Sequence, residues 1–311
     1  MRSKIGVYVL AVAPLVLTSC DFEDFGDSDR YREDFHKTFE VQPGGRLSVD
    51  NSNGSVEITG WEKSTVDITG TKYASTEASM RNITIDIVQS GNNISIRTVR
   101  PSSYRGNMGA KYIIRVPARY ELDRIVSSNG SIHVDSITGN ARLKTSNGSL
   151  HSTRLVGRLD AETSNGSVEV TDQDGDTVLR TSNGRIRVDG VKGFFEAHTS
   201  NGSVNARITD PRPNAPVKVE TSNGSIDLTL ANLRDNSIRA NTSNSSITVH
   251  LPSNLNANLR AHTSNSNIQS DFDLMVKGGA SSKHTLEGTV GSGGPTIDLE
   301  TNNGSIRILR M

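Results

Sequence analysis

The sequence predicts an all-β protein built as a single-stranded parallel β-helix, and three observations support this prediction. The pentapeptide Thr-Ser-Asn-Gly-Ser begins at residues 145, 163, 199 and 221, with near-copies at 181, 242, 263 and 301. Its central asparagine returns every 18 to 22 residues through the middle of the chain, and a period near 20 is typical of a solenoid. Apolar residues flank each copy at alternate positions, as half-buried strands require.

Each repeat has the composition of one rung of such a coil. In the copy centred on Asn165, Val168 and Val170 follow the asparagine and Leu159 and Ala161 precede it, always with one polar residue between. Asn and Gly tolerate positive φ and are expected to turn the chain between the two strands. A second glycine, ten residues after the asparagine, predicts the other corner of the rung in four repeats: Gly139, Gly157, Gly175 and Gly193.

The recurrence of one polar corner favours stacked rungs over a meander of hairpins. In a parallel β-helix each corner lies roughly 4.8 Å from its own copy, so a buried asparagine can bond its amide to the rungs above and below. The threonine two residues earlier is expected to line the same inner column. Asn165→Ala is then expected to cost roughly 1–3 kcal/mol. The predicted ladder consists of Asn129, Asn147, Asn165, Asn183, Asn201, Asn223, Asn244, Asn265 and Asn303.

Two gaps interrupt the spacing. Asn53 lies 76 residues before Asn129, and Asn303 lies 38 residues after Asn265. We expect drifted copies of the repeat in both gaps, one of them around Asn92, which gives about 13 rungs over residues 45–311. The crossover rule favours a right-handed coil. The final "SIRILRM" is expected to be an uncapped edge strand, with a cap from residues 271–295 as the alternative.

The N-terminus is typical of an exported bacterial lipoprotein. Arg2 and Lys4 precede an apolar run at residues 5–17, which ends in "LTSC" with Cys20 as the only cysteine of the chain. This order matches a signal peptide with a lipid-accepting cysteine, and cleavage after Ala13 is the alternative. We therefore expect lipid anchoring to the cell envelope, in either leaflet. The predicted divisions are a signal peptide at 1–19, an acidic tether at 20–34 and a solenoid at 35–311, with degenerate rungs at 35–126, regular rungs at 127–270 and C-terminal rungs at 271–311.

Two clusters are candidates for a metal site. His133 and His151 fall on adjacent rungs of one outward column with Glu169 next, but a straight column does not converge on a tetrahedral centre. Asp172, Asp174 and Asp176 resemble the start of a calcium loop that lacks its closing glutamate. The predictions are therefore no metal and no cofactor, with calcium left open.

Composition and motifs argue against two function classes. Lys plus Arg number 34 and Asp plus Glu number 34, so no net charge favours nucleic acid. An enzyme would gather carboxylates or basic residues on one face, and the regular rungs show no such cluster and no Ser-His-Asp group. A carbohydrate-active β-helix enzyme, either a polysaccharide lyase or a hydrolase, remains the alternative to a non-enzymatic protein.

Four segments carry a resemblance to a known family: "LSVDNSNGSVEITGW" at 47–61, "YIIRVPARYELD" at 112–123, the Thr-Ser-Asn-Gly-Ser run, and "GTVGSGGPTIDLETNNGSIRIL" at 288–309. Over residues 35–311 the chain resembles the bacterial "putative adhesin" family of β-strand-repeat proteins, whose function is not established. The resemblance implies a solenoid-like extracytoplasmic domain, in some members tied to envelope stress, and supplies no catalytic residues. We expect a membrane-anchored, non-enzymatic scaffold or binding module whose partner is an envelope protein or glycan.

Overall fold

The structure, a computed structural model, describes residues 30–100 and 108–311, and the predicted all-β solenoid is confirmed within these ranges. Their strands form one sheet of 13 and one of 14 strands, which face each other across a continuous hydrophobic core, and a small separate cluster lies beside α1. The helix α1 (Glu77–Arg81) is the only one in the described ranges, and no helix there is long and apolar enough to span a membrane. The signal segment and Cys20 lie outside the described residues.

The two sheets run the length of the solenoid. In spatial order the first sheet contains β1 (Tyr31–Glu40), β4 (Thr65–Ala74), β7 (Met108–Pro117), β3 (Val56–Trp61), β9 (Ile132–Thr138), β11 (Leu150–Val156), β13 (Val168–Asp174), β15 (Ile186–Gly193), β17 (Val204–Pro211), β19 (Ile226–Leu230), β21 (Ile247–Leu251), β27 (Ile306–Arg310) and β23 (Ile268–Ser270). The second contains β24 (Met275–Ser281), β25 (Thr285–Val290), β22 (Ala257–Thr263), β26 (Thr296–Thr301), β20 (Ile238–Thr242), β18 (Val217–Glu220), β16 (Phe195–His198), β14 (Thr177–Arg180), β12 (Leu159–Glu162), β10 (Ala141–Thr145), β8 (Glu121–Asn129), β2 (Arg46–Asn53), β6 (Asn93–Val99) and β5 (Thr84–Ser90).

In the regular region each rung gives one strand to each sheet. The Ser-Asn-Gly turn, here called the Asn corner, leads from the second sheet to the first, and the turn at the second glycine, the Gly corner, leads back. Neighbouring rungs are parallel and in register, so that Leu150 lies beside Val168 and Val168 beside Ile186. These side chains are buried between the sheets, where each contributes about 1.5–3 kcal/mol by leaving water.

The N-terminal gap contains one additional rung, where the spacing predicted several drifted copies, and the gap also contains antiparallel strands. The rung of Asn53 stacks directly on that of Asn129, with Val56 beside Ile132. Strands β6 and β7 form one further rung. Beyond it, antiparallel pairs join β1 to β4, β4 to β7 and β5 to β6. Asn92 lies in the turn between β5 and β6 and not in an Asn corner. Strand β1 begins at Tyr31, before the expected domain start at residue 35.

The C-terminal strand is also placed differently from the expectation. Strand β27 pairs with β21 on one side and with β23 on the other, so the last residues are internal to the first sheet and do not form its edge. The intervening segment contains no drifted rung, because β24 and β25 form an antiparallel hairpin against β22. This hairpin lies within residues 271–295, the alternative cap. The chain then returns through β26, which lies between β20 and β22.

Candidate functional site

The central asparagines form one row of side-chain hydrogen bonds along the outside of the Asn corners. Each Nδ2 donates to the Oδ1 of the asparagine on the next rung, at 2.7 Å in eight bonds and 2.8 Å in the ninth, counted over the described residues. At one end Asn53 donates to the carbonyl oxygen of Met108 at 2.7 Å. In spatial order this Asn row is Asn53, Asn129, Asn147, Asn165, Asn183, Asn201, Asn223, Asn244, Asn303 and Asn265.

The asparagine side chains are not buried, so that expectation is wrong. Asn147 and Asn165 are exposed, whereas the threonine two residues before each is buried. The chain bends between Thr163 and Asn165, and the inward–outward alternation of the strand therefore does not continue across the corner. Thr163 Oγ1 donates to the carbonyl of Gly148 at 2.9 Å and accepts the N–H of Gly166 at 3.3 Å. The buried polar contact between rungs thus belongs to threonine.

The glycine of the Asn corner has a different role from the one predicted. Gly54 has φ +112°, but the equivalent glycines in the regular rungs are not in the left-handed region. A Cβ atom on Gly166 would instead overlap the carbonyl oxygen of Gly148, and one on Gly184 would overlap that of Gly166. Glycine is therefore required here by the close approach of stacked backbones. Positive φ is found at the Gly corner, as at Gly157 (+137°).

A buried polar network at the N-terminal end was not predicted. Asn51 occupies the threonine position of its rung, and its Nδ2 donates to the carbonyl of Ala110 at 2.8 Å. Its Oδ1 accepts the hydroxyl of Thr98 at 2.9 Å, and that hydroxyl lies 2.6 Å from the hydroxyl of Tyr112. Burial raises the pKa of Tyr112 to about 12, although the bond to Thr98 acts against it. The replacement of Thr by Asn in "DNSNG" was the available signal.

The two histidines stack but do not form a metal centre. The rings of His133 and His151 are parallel within 2° with centroids 4.4 Å apart, and His151 Nε2 lies 3.6 Å from Glu169 Oε2. Burial, followed by the charge of His133, lowers the pKa of His151, with Glu169 acting in the opposite direction. Within residues 30–100 and 108–311, no three His, Cys, Asp or Glu side chains gather as a metal ion would need.

The three aspartates of the calcium-like turn are also separated in their roles. Asp176 accepts hydrogen bonds from the Arg212 guanidinium and from the N–H of Phe194. Burial raises the pKa of Asp176, but these bonds and the charges of Arg212 and Arg158 outweigh it, so the pKa is lowered. Asp172 lies at a strand irregularity with φ +52°, and Asp174 is exposed at the end of β13.

Most charged side chains of the outer columns pair with the neighbouring rung. Arg180 bridges Asp160 and Glu196 at 3.6 and 3.3 Å, and Lys144 contacts Glu162 at 2.8 Å. Such exposed pairs contribute little stability each. Similar contacts join Arg154 to Asp135, Arg187 to Glu169, Arg207 to Asp189, Arg234 to Asp210 and His250 to Asp227.

The N-terminal end carries an open groove between the edges of the two sheets. Phe35 and Phe39 of β1 line one side, and Ile85 and Ile87 of β5 line the other, around a volume of about 580 Å³. All four are partly buried and pack against the end of the core. Lys37 lies between the two phenylalanines on this face. Sequence reasoning missed the groove because it treated this region as degenerate rungs.

Comparisons with known proteins identify one family over most of the chain and several similar solved structures. Residues 45–309 match the family Toastrack DUF4097. A solved "putative adhesin" from Bacteroides fragilis is 14% identical over 90% of this chain and 97% of its own, with a TM-score of 0.41. A "putative lipid binding protein" from Parabacteroides distasonis is 12% identical over 90% and 98%, with a TM-score of 0.36. A "putative adhesin" from the same species is 10% identical over 90% and 97%, with a TM-score of 0.33. No curated protein matches the chain.

Proposed function

We propose that this chain, which belongs to the Toastrack DUF4097 family by its match over residues 45–309, is a binding module of the bacterial envelope. In this proposal the module is lipid-anchored and non-enzymatic. The observation that carries the proposal is the Asn row on the exposed corners. It supplies a rigid, repeating polar surface and no catalytic group. The coil itself is proposed to be right-handed, as the crossover rule favours.

The chemistry of the Asn row suits an extended polar polymer. An asparagine side chain has two amide donors and two acceptor positions, and the bonds within the row use one of each. One N–H and one lone pair therefore remain at each internal Asn, repeated at roughly 4.8 Å along the solenoid. Hydroxyl and amide groups of an envelope glycan are the matching partners. Stacked backbones fix the array, so little entropy is lost when a ligand binds.

Attachment to the membrane is proposed through Cys20. The motivation is the order of positive residues, apolar run and "LTSC" in the sequence. Metabolic labelling with a palmitate analogue is expected to mark the wild-type protein and not Cys20→Ala. Label on the Cys20→Ala protein would contradict this site of acylation.

Glycan binding can be tested with a matched pair of variants. The full-length chain is presented to an array of envelope polysaccharides, and Asn183→Ala is compared with Asn205→Ala. Asn183 is a member of the Asn row, whereas Asn205 is an exposed residue of β17 outside it. Binding is expected to weaken several-fold for Asn183→Ala only, with folding of both variants checked by circular dichroism.

The same array distinguishes the enzymatic alternative. The depression at the Gly corners is lined by Asp174, Asp176 and Asp210, of which Asp176 pairs with Arg212 and Asp210 with Arg234. Asp174 alone lacks an ion-pair partner within the described ranges, and glycoside hydrolysis ordinarily needs two carboxyl groups. We therefore expect retained glycan to be recovered uncleaved. New reducing ends or unsaturated products formed by the pure protein would contradict a binding module.

A further inference from the structure

Strand β1 leaves one of its edges open. Ten residues long, it pairs antiparallel with β4 and with no other strand of the described residues. Its alternate backbone N–H and C=O groups therefore face away from the sheet, and such an edge can accept another strand. The groove that contains Phe35 and Phe39 lies directly beneath this edge.

The inward face of β1 is unusual for a sheet edge. Glu33 and Lys37 alternate with Phe35 and Phe39 on the side that faces the groove. Glu33 pairs with Lys72 at 2.7 Å, while the Lys37 ammonium has no partner among the described residues. Inward charges on an edge strand normally prevent pairing with arbitrary strands. A partner strand must therefore neutralise them in the correct order.

A second copy of β1 does so in one register. If a two-fold axis passes through a β1 residue, the inward faces of both copies stay on the same side of the sheet. An axis at Phe35 places Phe35 opposite itself and makes every charged pair favourable. The opposed residues, each pair occurring twice, are then Arg30 with Glu40, Tyr31 with Phe39, Arg32 with Thr38, Glu33 with Lys37 and Asp34 with His36.

The neighbouring registers are less favourable. An axis at Asp34 places that carboxylate opposite its own copy and Arg32 opposite His36. An axis at His36 places Lys37 opposite Phe35 and Glu33 opposite Phe39, so both Glu33–Lys37 pairs are lost. A shift of the axis by one residue thus brings like charges together or removes the pairs that neutralise the inward charges, and cross-strand pairs of this kind decide sheet pairing.

We propose that two copies of the chain associate through their β1 strands, about a two-fold axis at Phe35. The two first sheets then continue into one another, and the two grooves face each other across the axis. Phe35, whose ring already packs edge-on against Tyr112 at a centroid distance of 6.1 Å, gains its own copy as a neighbour. Self-association of this kind goes beyond glycan binding and does not depend on it.

The arrangement has a consequence for membrane attachment. Cys20 precedes Tyr31 by 11 residues, so the proposed anchors of the two copies start on either side of the two-fold axis. Two acyl groups hold a protein on a membrane more firmly than one. This consequence rests on acylation of Cys20, whereas the association of the strands does not.

Charge reversal gives a direct test. Lys37→Glu places two pairs of carboxylates opposite each other in the dimer, and Glu33→Lys places two pairs of ammonium groups there. The full-length wild type and each variant are purified in a mild detergent, and the mass of the protein component is measured by sedimentation velocity. The wild type is expected to be dimeric and each single variant monomeric. An equimolar mixture of the two variants is expected to restore the dimer, because every Glu–Lys pair is then complementary.

The mixture makes the test independent of folding damage, since two misfolded proteins would not rescue each other. Lys218→Glu changes an exposed lysine of β18, which lies in the middle of the second sheet, whereas β1 is at the edge of the first. This variant is expected to remain dimeric. A monomeric wild type would overturn the proposal. This holds also if the groove of the monomer is found to contain another occupant, such as a fatty acid. Single variants that stay dimeric, or a mixture that stays monomeric, would overturn it as well.

Discussion

The regular rungs and the N-terminal end belong to the same two sheets but differ in how their strands pair. Between residues 127 and 249 each strand has a parallel neighbour on both sides. Each corner asparagine bonds to its own copy on the next rung, and each corner threonine bonds to a backbone carbonyl there. At the N-terminal end the strands turn antiparallel, and β1 and β5 each have one edge that no other strand of the described residues pairs with. The comparison teaches that repetition lets the backbone groups of the regular rungs bond to neighbouring rungs of the same chain. Unpaired backbone groups and apolar surface are therefore found at the N-terminal end.

The largest effect is expected from a side chain added between stacked backbones. Gly166→Ala would push a Cβ into the carbonyl of Gly148, so we expect a loss of about 3 kcal/mol in the free energy of unfolding. Gly44→Ala at the N-terminal end is the comparison, because a Cβ added to Gly44 has nothing within 4 Å. This variant should lose only about 1 kcal/mol, because alanine disfavours the φ of +88° at this position. Denaturant unfolding of both variants measures the difference, and equal losses would contradict the role of close stacking.

The second largest loss of stability is expected from the buried threonine column. Thr181 is 4% exposed, donates to Gly166 at 3.0 Å and accepts from Gly184 at 3.2 Å. Thr181→Val removes both bonds and leaves buried backbone groups unpaired, so about 1–3 kcal/mol of stability should be lost. Thr38→Val in the exposed edge strand β1 is the control and should change the unfolding midpoint little. A Thr181→Val protein as stable as wild type would show that the column is not a stabilising contact.

The Asn row should matter less for stability than the sequence suggested. Asn165 is exposed, and water can replace its lost partners, so Asn165→Ala should cost about 0.5–1 kcal/mol, below the cost of Thr181→Val. Asn205→Ala should have almost no effect. Unfolding midpoints for the three variants check this order, and a larger loss for Asn165→Ala than for Thr181→Val would reverse it.

The smallest effect is a pH dependence from His151. The pKa of His151 is lowered from 6.5, so below that value the unfolded chain binds a proton more readily than the folded protein does. Stability should therefore fall as the pH drops through about 6.5 and should be fully present above it. His151→Gln should show a smaller drop between pH 7.5 and 5.5 than wild type, whereas Asn205→Ala, which changes no titratable group, should show the same drop as wild type. An unchanged drop in His151→Gln would contradict this assignment.

The sequence predicts the middle of the molecule because every rung repeats one local rule. The alternation around Asn165, the glycine of the Asn corner and the aliphatic residue at Val168 each follow from the period alone. The direction of the Asn side chain could not be predicted in this way, since alternation is lost where the chain bends. The left-handed conformation of Asp172 (φ +52°) could not be predicted either, because no glycine stands at this position.

The ends could not be predicted from the repeat because their strand order is not the sequence order. Nothing local in "SIRILRM" shows that β27 enters between β21 and β23, or that Asn303 bonds both Asn244 and Asn265. The groove at Phe35 likewise depends on which strands stay unpaired. Long-range pairing decided each of these features.

Amide hydrogen exchange tests the contrast between the two regions most directly. The full-length chain is compared at high and low protein concentration, with Lys37→Glu as the control. The amides of β11 to β21 should be strongly protected and independent of concentration, because their partners lie within the chain. The open-edge amides of β1 should be protected only at high concentration, and Lys37→Glu should lose that protection. Concentration-dependent protection in the regular rungs, or none in β1, would contradict the account.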